Sequence, residues 1–358
     1  MKTMRTLCIL SFVCILLGTS CSNKNGNNTN DNETNFTPPR YRTERVVRTL
    51  HLDEMNMSDP FVLADSKTNT YYMTGSGGLM YKSKDLQMWE GPYSIIEIDT
   101  TSWMGPTPSV WAAELHEYKG KYYYFATFTN SRIIIDTVPK RYNIPRRASH
   151  VLRADKPEGP YTPMNDKLYL PENWATLDAT LWVEDGTPYM IFCHEWLQVI
   201  DGKMDMIQLS EDLSEPAGKP ITLFRASEAP WVREMNSIGE ITYGLQLPGW
   251  VTDGPCLFRT QTGRLGMIWS AWGDNRYAQG VAYSESGKLA GPWIHQKEAL
   301  NPNNAGHGML FRTFEGKLLI SLHYQDMEKT NSPRKPIFYE IDDSGDEIKL
   351  GKQYIDHL

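Results

Sequence analysis

Apolar residues along this chain recur in pairs of short runs separated by polar turns. The second run of each pair is aromatic or aliphatic: Thr70–Met73, Lys121–Phe125, Pro188–Phe192, Leu265–Trp269 and Lys317–Ile320. The first run opens on a small or polar head: Asp59-Pro60-Phe61-Val62, Pro108–Glu114, Asp178–Trp182, Asp253–Leu257 and Gly306–Leu310. Runs of this length bounded by turn residues read as strands, and no helical spacing of useful length is present. Each pair is followed by a polar turn and then a Gly-Pro or similar break, at Gly91-Pro92, Gly159-Pro160, Gly218-Lys219-Pro220 and Gly291-Pro292. Gly-Pro stops one strand and starts the next. Together these landmarks mark about five four-stranded units between Glu44 and Leu358. Radial repetition of such a unit predicts an all-β fold, a five-bladed β-propeller, in one domain. The heads of the innermost strands then point at one central axis, so residues far apart in sequence become neighbours in one pocket.

The start of the chain lies outside this pattern. Met1-Lys2-Thr3-Met4-Arg5 is basic, Leu7–Leu17 is apolar, and small residues precede Cys21. Residues 1–20 therefore read as a secretory signal. Leu16-Leu17-Gly18-Thr19-Ser20-Cys21 resembles the lipobox of bacterial lipoproteins, which implies lipid on Cys21 and a place in the periplasm or on the outer-membrane surface. Ser22–Thr37 is Asn-rich and polar, so residues 21–43 read as a flexible tether and residues 44–358 as the folded domain. Only Cys193 and Cys256 then remain in the domain. Both sit in apolar runs and are expected to be buried small hydrophobes; a disulfide between them is allowed but not required. No Cys/His spacing suggests zinc.

Among the 358 residues, 22% are charged and 40% hydrophobic, an ordinary globular balance. The net charge of −7 argues against a nucleic-acid partner. No second apolar run is long enough to span a bilayer, so membrane attachment is expected only through the lipid. The 19 Tyr and 11 Trp mostly serve a propeller core, with some left for sugar stacking.

Three carboxylates fall at strand heads: Asp59, Asp178 and Asp253. A single Asp before Pro or Gly is usually a turn residue. Three at repeat positions around one axis would raise one another's pKa, which keeps one of them protonated as an acid at neutral pH. The connector Ser227–Thr252 lacks alternation and is expected to lie over the pocket.

The ordered set of motifs resembles glycoside hydrolase family 43. These are the Asp-Pro head of unit one, Trp111-Ala112-Ala113-Glu114, Asp178, the acid-Gly-Pro at Asp253 and Gly306-His307-Gly308. The resemblance covers roughly Val46 to Tyr324. It implies Asp59 as the general base that activates water and Asp178 as the residue that orients and tunes the acid. It also implies single displacement with inversion, in which base and acid stand about 6.5–9.5 Å apart. At the acid this chain departs from the family's usual Glu. Either Asp253 is the donor, or Glu228 of Ser227-Glu228-Ala229-Pro230 enters from the connector. By the resemblance, His307 lies at the axis near a water or a central calcium; a His hydrogen-bonded within the core is the plainer reading. Trp111, Glu114, His194, Glu195 and Trp269 are further candidates for sugar contacts, with an inward direction uncertain by one residue.

The resemblance implies an inverting glycoside hydrolase that releases terminal α-L-arabinofuranosyl residues from plant cell-wall polysaccharide. A β-xylosidase, endo-arabinanase or galactan-acting enzyme of the same family is an alternative. A cell-surface glycan-binding lipoprotein without catalysis is another, kept open by the altered acid. No cofactor is required for such chemistry, calcium would be structural, and the domain is expected to be a monomer.

Overall fold

Five antiparallel sheets of consecutive strands carry nearly all of the regular structure. Blade one contains Phe61–Asp65, Thr70–Thr74, Leu79–Ser83 and Met88–Ser94, from the inside outward, with Arg48–His51 added at its outer edge. Blade two contains Ser109–Tyr118, Lys121–Val138, Tyr142–Ala154 and Thr162–Pro163. Blade three contains Thr176–Glu184, Thr187–His194, Lys203–Gln208 and Ile221–Arg225. Blade four contains Asp253–Arg259, Leu265–Trp272, Tyr277–Ser284 and Trp293–His295. Blade five contains Ala305–Arg312, Leu318–Gln325, Arg334–Asp342 and Lys349–Gln353. The inner strands touch in cyclic order, one to two and onward, with five meeting one again. The fold is a five-bladed β-propeller.

The structure, a computed structural model, describes residues 40–41, 45–138, 142–236, 247–274, 276–329 and 332–355. The signal, and the tether apart from Arg40–Tyr41, lie outside the described residues. Those two residues pair antiparallel with Ile98–Asp99. Cys193 and Cys256 are both buried and free.

Three local expectations need correction. Blade two's hairpin runs on to Val138, far past Phe125, and residues beyond Asn130 are largely exposed. Weak patterning in that solvated half hid the strand. Gly91-Pro92 lies inside Met88–Ser94 rather than ending a strand. It falls where the pairing with Leu79–Ser83 shifts register, a place where the missing Pro N–H is tolerated. The connector's start does not lie over the pocket. Ala229, Trp231 and Val232 are buried in the seam between blades three and four. Trp231 lies so close to Gly280 that a Cβ there would be 2.0 Å from the indole. Residues 237–246 of the connector lie outside the described residues.

Ring closure rests on packing. No strand is exchanged between blades one and five among the described residues; the added strand Arg48–His51 pairs within blade one. The seam is apolar, with Phe311, Leu319 and Phe338 of blade five against Met55, Val62, Met73 and Trp89. Ser321 Oγ donates to Pro60 O at 2.5 Å and Phe314 N–H to Tyr71 Oη at 2.9 Å. Phe338 is fully buried, 6.3 Å from the Trp89 ring. Phe338→Ala should therefore cost about 3–5 kcal/mol, read by urea unfolding. A loss under about 1 kcal/mol would show that this seam does not hold the ring.

Candidate active site

Near the start of each inner strand lies one residue in the left-handed region: Asp59 (φ 60°), Ala112 (44°), Asp178 (55°), Gly254 (49°) and His307 (53°). In blades two to five this residue opens a bulge, where the register shifts between Trp111 and Glu114, Leu177 and Thr180, Asp253 and Cys256, and Gly306 and Met309. Such a bulge re-aims a side chain and is common at the rims of barrels and beside active sites. A non-Gly residue in this region costs roughly 1–3 kcal/mol unless its surroundings hold it.

This register corrects one reading. Asp253 does not occupy the slot of Asp59 and Asp178. Gly254 does, because Gly takes positive φ freely. Asp253 stands one residue earlier, level with Ser58, Trp111 and Leu177. Both levels line one pocket of about 120 Å³, which includes Asp59, Asp178, Asp253, Ser76, Tyr277, His307 and Arg334.

The three carboxylates have unequal surroundings. Asp59 accepts a short hydrogen bond from Ser76 Oγ and lies 3.3 Å from His307 Nδ1 and 3.1 Å from His323 Nδ1. Burial raises its pKa, but His307, His323 and Arg334 together outweigh burial and hold it well below the usual carboxylate range. Asp178 is buried, accepts the Gly254 N–H at 3.2 Å and lies 3.8 Å from His307 Nδ1. Burial, and then the charges of Asp253 and Asp59, push its pKa well up. Asp253 accepts from Tyr277 Oη at 2.9 Å. Burial and the charges of Glu195 and Asp59 push it up to about 7, against the Tyr277 hydrogen bond and Arg334. One carboxylate is thus biased to stay ionised and another to keep its proton, the division that acid–base chemistry needs.

The other candidates divide sharply. Trp111 lines the pocket and carries the Arg147 guanidinium 4.1 Å over its ring. Arg147 in turn pairs with buried Glu195, so Glu195 supports the wall from behind. Glu114 is buried away from the pocket, bonded to His116 Nε2 and Thr180 Oγ1, each at 2.7 Å. The two bulge residues before it break the alternation that suggested an inward direction. His194 is buried and stacks on Trp174 at 4.2 Å, with Nε2 3.2 Å from Gln198 Oε1. Trp269 is fully buried in the seam of blades three and four, 5.0 Å from Trp231, so it cannot stack on a sugar. Glu228 is exposed, and its carboxylate caps a single 3-10 turn through the Arg225 N–H at 3.0 Å. It is not among the residues that line the pocket, whose carboxylates are Asp59, Asp178 and Asp253. Ser76, Tyr277, His323 and Arg334 are site residues that sequence reasoning missed. A polar residue three places past the second strand's apolar run is the faint signal for Ser76 and His323; Tyr277 and Arg334 carry none.

Burial lowers the pKa of His307, against the nearby Asp59 and Glu114, and its Nε2 is buried with no hydrogen-bond partner. That one nitrogen is the whole offer to an ion. Calcium takes six to eight oxygens, and among the described residues no three His, Cys, Asp or Glu side chains converge on a metal-sized site. The residues do not fit a calcium cage, and no step below runs through an ion.

Residues 54–342 match the family described as glycosyl hydrolases family 43. Among solved structures, an endo-arabinase from Bacteroides thetaiotaomicron VPI-5482 is 36% identical, with a TM-score of 0.70 over 85% of this chain and 98% of that one. An endo-1,4-β-xylanase from the same organism is 21% identical, with a TM-score of 0.62 over 86% of this chain and 97% of that one. An α-L-arabinofuranosidase from Lactobacillus brevis is 16% identical, with a TM-score of 0.62 over 84% and 97%. These last two likenesses speak to the fold alone. No curated protein sequence matches the chain. With the family's profile spanning most of the propeller and a relative this similar over 85% of the chain, the protein belongs to glycosyl hydrolases family 43.

Proposed function

We propose that this protein hydrolyses α-L-arabinofuranosyl linkages of plant polysaccharide with inversion, taking terminal residues. The observation that carries the chemistry is the contrast between Asp59, held ionised, and Asp253, whose pKa is pushed up to about 7, on one pocket. The two stand on blades one and four, which are not neighbours in the ring. A sugar between them would meet the base on one side and the acid on the other. Asp59 takes a proton from water as the water oxygen bonds to the anomeric carbon. Asp253 gives its proton to the glycosidic oxygen as the bond to that carbon breaks. Asp178, held by the Gly254 amide on the same side of the pocket as Asp253, orients the acid and completes that wall. Trp111 offers an indole face for the sugar, stiffened by Arg147 and Glu195.

The arabinofuranosyl choice is supported by the similarity to an endo-arabinase. The same similarity at 36% identity favours a second reading, cleavage within arabinan chains. A lipid anchor on Cys21, outside the cytoplasm, and a monomeric domain complete the proposal. Both suit an enzyme that meets polymeric substrate.

Incubation with branched arabinan, debranched arabinan and an aryl α-L-arabinofuranoside tests the reading. Arabinose from the first minutes supports terminal release, and oligosaccharides first support the second reading. Turnover of xylan alone, or of no glycan, would contradict both. Asp59→Asn should lower the rate by about 10²–10⁴ with folding intact, while Glu228→Gln changes it little.

The pH profile has a definite sign. Asp59 stays ionised down through the ordinary carboxylate range, so no loss is expected between pH 7 and 5. Asp253 must be protonated to act, so kcat/KM should fall as pH rises through about 7. A profile flat to pH 9 would contradict Asp253 as the donor.

A further inference from the structure

The left-handed residues share a second regularity. At four of the five seams, the backbone N–H of that residue donates to a side chain on the second strand of the preceding blade. Ala112 N–H donates to Ser76 Oγ at 3.0 Å, and Asp178 N–H to Thr127 Oγ1 at 2.8 Å. His307 N–H donates to Ser270 Oγ at 2.7 Å, and Asp59 N–H to His323 Nδ1 at 3.2 Å. Burial lowers the His323 pKa to about 4, against the Asp59 carboxylate 3.1 Å from the same nitrogen. Thr127, Ser270 and His323 occupy one register, opposite Trp111, Asp253 and Gly306. Ser76 falls in the same place, two residues past the Thr74 that pairs with Phe61.

The residue in that register of blade three is Cys193, opposite Leu177. It is fully buried, packed in the apolar seam facing blade four. A thiol is a weak acceptor. Here the pattern breaks: the Gly254 N–H of blade four donates to Asp178 Oδ2 at 3.2 Å instead. Burial, and the charges of Asp178 and Asp253, raise the thiol's pKa, so it stays neutral beside the two carboxylates. The missing acceptor falls at the one seam that joins these two carboxylates, and the amide it frees goes to one of them.

We propose that Cys193 is a positioning residue: by offering no competent acceptor at the fifth seam, it leaves the Gly254 amide to hold the Asp178 carboxylate. It touches no substrate and acts through Gly254 and Asp178. A hydroxyl in its place would complete the ring of acceptors and release Asp178. The proposal rests on reading Asp178 and Asp253 as the acid-side pair.

The test compares Cys193→Ser with Cys193→Ala. Ala, like Cys, gives the amide no competitor; Ser does. If Cys193 only filled space, Ala would be the more damaging change and Ser the near-isostere. Positioning predicts the reverse: kcat of Cys193→Ser about tenfold or more below that of Cys193→Ala, the size expected for losing a hydrogen bond to a charged group. A crystal structure of Cys193→Ser reads the switch without any assay, by whether Gly254 N lies within 3.2 Å of the new hydroxyl or still of Asp178. The amide remaining on Asp178, or equal rates in the two variants, would overturn the proposal. Failure of the acid reading shows differently: Asp253→Asn would match the parent rate, while the crystal structure would still report the switch.

Discussion

The structure depends on one backbone constraint, the left-handed residue near the start of every inner strand. At Asp59, Ala112, Asp178 and His307 this conformation is held against the cost of a Cβ, and Gly254 meets it without that cost. What holds it is a hydrogen bond from the strained residue's own amide to a side chain on the preceding blade, or, at Gly254, to Asp178. One such bond offsets about 0.5–1.5 kcal/mol, so the packed seams must supply the rest. The same contacts turn the strand heads toward the axis and tie each blade to the next. The pocket and the closure of the ring are therefore two results of one repeated device.

The charges in the pocket follow from who stands beside each carboxylate. Asp59 has two imidazoles, a hydroxyl and its own side of the ring. Asp178 and Asp253 share the far side, buried, with one amide and one phenol between them as close hydrogen-bond donors. Arg334, from the third strand of blade five, enters the same pocket and lowers the pKa of Asp59 and Asp253. Burial pushes all three carboxylates the same way, and only the difference in partners sets a lowered pKa at Asp59 against raised ones at Asp178 and Asp253.

Much of this was legible before the structure. Repeated strand pairs and their polar heads exposed the five blades, and Asp59, Asp178, Asp253 and His307 stood out as heads. What failed did so for reasons of register and closure. A strand pattern carries period two, and a bulge inserts residues that break it, which is why Glu114 turns away from the pocket; Trp269, on a second strand, packs against Trp231 in the seam. Asp253 was one residue off its supposed slot because positive φ belongs to Gly254, and φ leaves little mark in composition. Glu228 sits in a family-like Glu-Ala-Pro context, yet it follows an outer strand, and an outer strand's end cannot reach the axis. Ser76, Tyr277, His323 and Arg334 are single polar residues in apolar strands. His323 and Arg334 join the site only when blade five returns to blade one.

The central claim is that Asp59 and Asp253, on non-adjacent blades, act across one sugar in a single displacement. Proton NMR of the first-formed product from an α-L-arabinofuranoside tests it most directly. The account predicts β-L-arabinose in the earliest spectra, before mutarotation. Initial release of the α anomer would require a covalent intermediate on a nearby carboxylate and would contradict it.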